Sequence, residues 1–163
     1  MNQIPALFIK RGKCYFDSDV ILDYLDTLHE GSPLIPQLNR FECKTAIHLA
    51  NGVIESTLLR TMELRRPECQ QSKTYVAHLE ARVMRGINTM EKKRETKIGD
   101  WLNGEEITTA VALSYVDFRF STEWRKTAPT LETWFGRVSC RKSMELTAPT
   151  RERPIAMIDK IRV

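Results

Sequence analysis

The segment from Leu102 to Val116 constrains the fold more than any other part of this sequence. Asn103 can accept from first-turn amides, and Glu106, three residues on, can reach back to the Asn103 amide. Leu102 can pack on Ile107 as a hydrophobic staple. Together these predict a helix start that is fixed locally. The body that follows, Thr108 to Val116, carries almost no charge on any face. Such a helix has no side suited to water, so it is expected to be buried all round at the centre of a bundle.

The neighbouring segments supply the rest of that bundle. Asn39, followed three residues later by Glu42, is a capping-box-like start, and Ala46, Ala50, Val53, Ile54 and Leu58 continue an apolar stripe towards Arg66-Pro67. Pro67 ends or kinks that helix, because proline lacks the N–H the ladder needs. Val76, Leu79, Val83, Ile87 and Met90 mark a second long helix, and the charged run from Glu91 to Lys97 reads as its solvated end. Pro129 at a first turn, then Leu131, Trp134, Phe135 and Val138, predict one more amphipathic helix.

Only the first 30 residues depart from this pattern. Ile4 to Ile9 is a short apolar run, Gly12 marks a tight turn, and Cys14-Tyr15-Phe16 is a second strand, which together suggest a hairpin. From Val20 the spacing becomes helical through Ile21, Tyr24, Leu25 and Leu28, with Ser18 placed to cap the first turn. Gly31-Ser32-Pro33 and Pro36 then separate this strand-strand-helix unit from the helices. The fold class is therefore mainly α, and no internal repeat or low-complexity tract is present.

Composition removes several function classes. With 42% hydrophobic residues in 163, the chain can bury a core, and a net charge of +4 on a mixed surface argues against nucleic acid as partner. Cys14, Cys43, Cys69 and Cys140 form no C-x-x-C pair, and His29, His48 and His78 have no second ligand at helical spacing. No metal site is expected, and the cysteines read as reduced thiols of a cytoplasmic protein. No stretch approaches the roughly 20 apolar residues of a membrane span, and the amino terminus lacks the pattern of a leader, so no membrane association is expected.

The order of these elements, with Gln3-Ile4-Pro5-Ala6-Leu7, Phe16-Asp17-Ser18, Ile21, Tyr24-Leu25 and the capped helix running into Tyr115-Val116-Asp117-Phe118-Arg119, resembles the glutathione S-transferase family, nearest its bacterial beta-like classes. The resemblance covers nearly all of residues 2 to 149. It implies a partial thioredoxin-like β-β-α glutathione-binding unit over 1–30, a linker over 31–38, an all-helical C-terminal domain over 39–149 and a tail over 150–163. It implies that Ile4 precedes a cis proline, Pro5, and offers its backbone to the cysteinyl part of glutathione. It also implies that Asp17 and Ser18 hold the γ-glutamyl end, Asp17 meeting the ammonium and Ser18 the carboxylate. The residues alone favour reading Ser18 as a helix cap, a role compatible with ligand binding by the same residue. Glutathione as substrate, a small electrophile as co-substrate and a homodimer through the helix around Ala46 to Leu58 are further implications.

Three departures from the family pattern accompany the resemblance. Asn103 and Glu106 stand where serine or threonine and aspartate are usual, and Asn51 stands where aspartate often lies near the partner's glutathione. The strand-helix-strand that carries the family's activating serine, tyrosine or cysteine is not matched, which suggests a shortened product or a segment encoded elsewhere. No catalytic residue is therefore assigned. The leading expectation is a protein that, in complete form, conjugates glutathione to electrophiles. Its rivals are a non-catalytic interaction or assembly module and a plain helical bundle with an accessory hairpin. Tyr115 and Trp124 are open to two readings, as lining of an electrophile pocket or as packed aromatics.

Overall fold

The computed structural model describes residues 4–10, 12–94, 99 and 101–149. Gln3, part of the charged run after Arg94 and the expected tail over 150–163 lie outside the described residues. Among those described, two short strands, β1 (Leu7–Phe8) and β2 (Cys14–Tyr15), precede six helices. These are α1 (Ser18–Asp26), α2 (Arg40–Leu64), α3 (Lys73–Glu91), α4 (Gly104–Arg119), α5 (Pro129–Ser139) and α6 (Lys142–Thr147).

The core lies among the helices from α2 onward. α2 packs against both α3 and α4, and the side chains that meet there include Val53, Val83, Ile87, Leu113 and Val116, all at most 2% exposed. Each such side chain, fully buried, contributes about 1.5–3 kcal/mol. The α2–α3 approach is close: a Cβ added at Gly86 would stand 2.4 Å from Val53 Cγ2. Only glycine lets the two backbones come this near.

The sequence signals at the helix ends have mixed outcomes. Asn103 Oδ1 accepts from the Glu106 amide at 3.0 Å and Glu106 Oε2 accepts from the Asn103 amide at 3.0 Å, so the capping box is present. Asn39, with φ −127° and ψ 39°, is the N-cap of α2 but makes no side-chain capping bond, so the expected box with Glu42 does not form. Its backbone lies outside the extended region typical of an N-cap. α2 stops before Pro67 as expected. Gln71 Nε2 donates to the carbonyls of Leu64 at 3.2 Å and Arg66 at 2.8 Å, and Glu63 Oε1 accepts from the Ser72 amide at 2.7 Å. These bonds satisfy groups that a helix end leaves unpaired.

Three packing expectations are corrected. α4 is not buried all round: Thr109, Ala110, Ala112, Leu113 and Val116 are buried, while Ile107 and Val111 are 37% and 45% exposed. Lack of charge identified a helix compatible with burial, but only one face has helices packed on it. Leu102 enters the core without Ile107 being buried beside it, so the staple leaves Ile107 largely at the surface. Leu58 of the α2 stripe is also exposed, its place inward taken by Ser56 and Thr57, whose hydroxyls donate to the carbonyls of Gly52 and Val53 four residues back. That local bond lets a polar side chain occupy a buried position.

Glu91 is not a solvated helix end. Its carboxylate accepts from the amides of Thr130 at 3.0 Å and Leu131 at 2.7 Å. α5 begins with Ala128 as N-cap, which has no side-chain acceptor, and with Pro129 in its first turn. The cap is supplied from α3 instead.

Candidate functional site

The β1–β2 hairpin and the start of α1 form the region where the proposed ligand residues meet. β1 and β2 are antiparallel with Leu7 opposite Tyr15 and Phe8 opposite Cys14, and the Ile9 amide donates to the Lys13 carbonyl at 3.0 Å. The turn uses Gly12 at φ 75°, a conformation side chains disfavour. Tyr15 lies 4.8 Å from Tyr24 of α1, centroid to centroid, which ties the helix to one face of the hairpin.

The Ile4–Pro5 peptide bond is cis. Continued two residues beyond Leu7–Tyr15, the hairpin register aligns Pro5 with Asp17. Ile4, Pro5, Asp17 and Ser18 are all exposed. At the start of α1, Asp17 and not Ser18 is the N-cap. Asp17 Oδ1 accepts from the Asp19 amide at 3.2 Å and from Ser18 Oγ at 3.2 Å. The extended ψ of 169° at Asp17 puts its carboxylate over the first turn, whereas Ser18 is already helical and cannot fold back over its own amides. Among the described residues, Asp17 Oδ2 accepts no hydrogen bond, and the Ser18 and Val20 amides donate none. The site thus presents a carboxylate oxygen, a hydroxyl and two amides at the positive end of a helix dipole, suited to a ligand bearing both an ammonium and a carboxylate.

Below α1 the chain is held to the helices by a relay that sequence reasoning did not find. The Leu34 amide donates to both Asp26 oxygens, at 2.9 and 3.1 Å, and the Leu34 carbonyl accepts from the Gly104 amide at 2.7 Å. His29 Nε2 lies 3.0 Å from Asp26 Oδ1 while its Nδ1 accepts from the Gly31 amide at 2.9 Å. One residue therefore joins the end of α1 to the first residue of α4. The same region bounds a cavity of about 50 Å³ between Asp19, Asp23, Leu34, Ile47 and Thr108.

Further along α4, Val111, Ser114 and Tyr115 face Met144, Thr147 and Pro149 across a mainly apolar cleft of about 220 Å³. Tyr115 therefore does line an open cleft. Trp124 does not: it is 1% exposed, and its Nε1 donates to Asp117 Oδ1 at 2.8 Å. Arg125 holds the same carboxylate by two bonds of 2.7 Å. Among the described residues no group of three or more His, Cys, Asp or Glu could hold a metal, and no helix is long and apolar enough to cross a membrane.

A partial thioredoxin-like β-β-α unit that opens with a cis Ile4–Pro5 bond and is followed by a helical bundle defines a glutathione-transferase-like class of protein. No protein-family model matches the chain. YibF of Escherichia coli K12, an uncharacterized GST-like protein, is 25% identical over 156 residues, covering 93% of this chain and 77% of its own. A glutathione transferase family member from Pseudomonas fluorescens Pf-5, solved with S-(propanoic acid)-glutathione, is 33% identical, with a TM-score of 0.86 over 91% of this chain and 78% of that one. A glutathione S-transferase from Methylobacillus flagellatus KT, solved with glutathione, is 27% identical with a TM-score of 0.83, over 91% and 76% of the two chains. The chain belongs to the glutathione transferase family.

Proposed function

We propose that this chain binds glutathione at the junction of β1 and α1 and presents its thiol to a small apolar electrophile. The observation that carries this reading is the start of α1, where, among the described residues, Asp17 Oδ2 and the Ser18 and Val20 amides are unpaired, and which the hairpin register, continued outward, aligns with Pro5. The γ-glutamyl carboxylate would take the Ser18 hydroxyl and the first-turn amides, and its ammonium Asp17 Oδ2. The Ile4 backbone would pair with the cysteinyl part. The binding of glutathione and a glutathione derivative by the M. flagellatus and P. fluorescens proteins supports this assignment.

In the complete reaction the glutathione sulfur forms a bond to the electrophilic carbon, its proton passes to solvent, and the displaced group leaves with the bonding electron pair. A thiol near its free pKa of about 8.5 is mostly protonated at neutral pH, so turnover requires a group that stabilises the thiolate. None is assigned here. The cleft beside Tyr115 is the place we propose for the apolar co-substrate. A cytoplasmic homodimer through α2 fits Leu58, Leu59 and Met62, which are 45%, 36% and 52% exposed.

Calorimetric titration with glutathione tests the reading. We expect saturable binding that Ser18→Ala weakens about tenfold, the loss of one hydrogen bond to a charged group. Absence of any binding heat at millimolar glutathione would leave the docking-module or plain-bundle readings. Equal affinity in the parent, Ser18→Ala and Asp17→Asn would move the site elsewhere.

A further inference from the structure

A buried cation just beyond α3 has donors that its neighbours leave unused. The side chain of Arg94 is only 10% exposed. One of its terminal nitrogens donates to Glu105 Oε1 of α4 at 3.0 Å, and its guanidinium lies over the ring of Trp134, 4.3 Å from the centroid. Trp134 is itself fully buried. Paired on one side and stacked on another, the guanidinium is held in place and cannot swing out to water. Its Nε is buried and, among the described residues, donates to nothing, as is also true of Trp134 Nε1. A buried donor without an acceptor is destabilising, and more so when it carries charge.

Arg94 also lines a cavity of about 30 Å³ where α2, α3 and α4 meet. Met90 and Thr109 are buried members of its wall, and Lys93, which is exposed, marks its open side. Thr109 differs from Thr57, another buried threonine. The Thr57 hydroxyl donates to the carbonyl four residues back, whereas among the described residues Thr109 makes no such bond to Glu105. Its hydroxyl is free to turn to a guest in the cavity. We propose that this cavity binds one small monovalent anion of chloride size, which accepts from Arg94 Nε and the Thr109 hydroxyl with Lys93 at the entrance.

Charge and size select an anion over water and over larger ions. Lys93 and Arg94 are cationic, and Glu105, the carboxylate of the lining, is already engaged by Arg94. Glu91, at the same end of α3, is turned to the amides of α5. The lining is therefore positive and rich in donors, a setting in which a water would bring hydrogens of its own and an anion only accepts. A water needs about 10–15 Å³ of such space, so the cavity suits a particle of about that size and a tetrahedral oxyanion such as sulfate does not fit. The ion ties the end of α3 to α4 through one charged side chain and one hydroxyl.

Titration of the full chain with sodium chloride, from a chloride-free buffer, tests the site by NMR of the Arg94 Nε–H and the Thr109 amide. Sodium sulfate at equal ionic strength is the control. Chloride should move both signals saturably, with half-saturation below the physiological ionic strength of about 0.15 M, and sulfate should not. Thr109→Val removes the hydroxyl and keeps the shape of the side chain, and should weaken binding about tenfold, the loss of one hydrogen bond to a charged group. Arg94→Gln should abolish the response of the Thr109 amide, and Thr109→Val carries the test if Arg94→Gln unfolds. Equal shifts in chloride and sulfate overturn the proposal, since they report ionic strength alone. So does an Arg94 Nε–H signal indifferent to chloride, which leaves water as its acceptor, or half-saturation above about 0.15 M, which leaves the ion adventitious. An unchanged titration in Thr109→Val also overturns it by placing the ion elsewhere.

Discussion

Glu91 offers the sharpest test of how the bundle is held, because one carboxylate on α3 caps α5. In Glu91→Ala the amides of Thr130 and Leu131 lose acceptors at 3.0 and 2.7 Å, and neither Ala128 nor Pro129 can replace them. Losing a helix cap costs about 0.5–2 kcal/mol, and a hydrogen bond to a charged group contributes about 1.5–3 kcal/mol. Reduced for the partial exposure of Glu91, the expected loss is about 2 kcal/mol. At about 2–4 °C per kcal/mol for a chain of this size, Tm should fall by about 4–8 °C. Glu91→Gln keeps one acceptor without charge and should lose about half as much. Burial raises the pKa of Glu91, but the hydrogen bonds from Leu131 and Thr130 outweigh it and hold the carboxyl below its ordinary value. The contribution is therefore complete above the unfolded carboxyl's value of about 4.3 and is lost as pH falls through the lower folded value. Urea titrations followed by helical circular dichroism would show parent and Glu91→Gln separated near neutrality and converging in acid. A stability of Glu91→Ala within about 0.5 kcal/mol of the parent, or a Glu91→Gln gap that persists below both carboxyl values, would refute the reasoning.

Other substitutions probe different parts of the chain. Gly86→Ala drives a methyl to within 2.4 Å of the stiff Val53 side chain and should cost about 1–3 kcal/mol by overpacking, whereas Val53→Ala in the same chain should recover part of it in a double-mutant cycle. Asp117→Ala leaves the buried Trp124 Nε1 without its acceptor and removes both short bonds to Arg125, so denaturant midpoints should report a loss of about 1–3 kcal/mol, with a shift in tryptophan emission. At α1, Asp17→Ala should fray the helix by about 0.5–2 kcal/mol, seen as faster exchange of the Asp19 amide, while Ser18→Ala should leave that amide unchanged.

What could be read from the sequence was local. The Asn103–Glu106 box, the stop before Pro67, the turn at Gly12 and the start at Pro129 each depend on residues within four positions of one another, and each is present. At Asn39 the spacing of a capping box is right but the backbone dihedrals are not, and no bond forms. At α1 the cap lies one residue earlier than serine suggested, because two adjacent residue types could each cap and only ψ at Asp17 decides between them. These are failures at the same short range as the successes.

The larger omissions lie where one element completes another. Glu91 caps α5 through an amide 39 residues later, and the Leu34 amide and carbonyl join Asp26 to Gly104. Yet the sequence does contain half of the first arrangement. α5 opens with Ala128 and Pro129, residues that cannot accept from its free amides, and its first turn includes the buried Leu131. A buried helix start with no local acceptor requires one from elsewhere, since unpaired buried amides are costly. Glu91, the acidic residue at the end of α3, was available for that role, but composition alone assigned it to solvent. The same accounting applies to the start of α1, where two amides have no acceptor and the helix end is exposed. There water can satisfy them in the free protein, and a ligand carboxylate can replace the water. Burial therefore separates a structural vacancy, which the fold must fill, from a binding vacancy, which it can leave open.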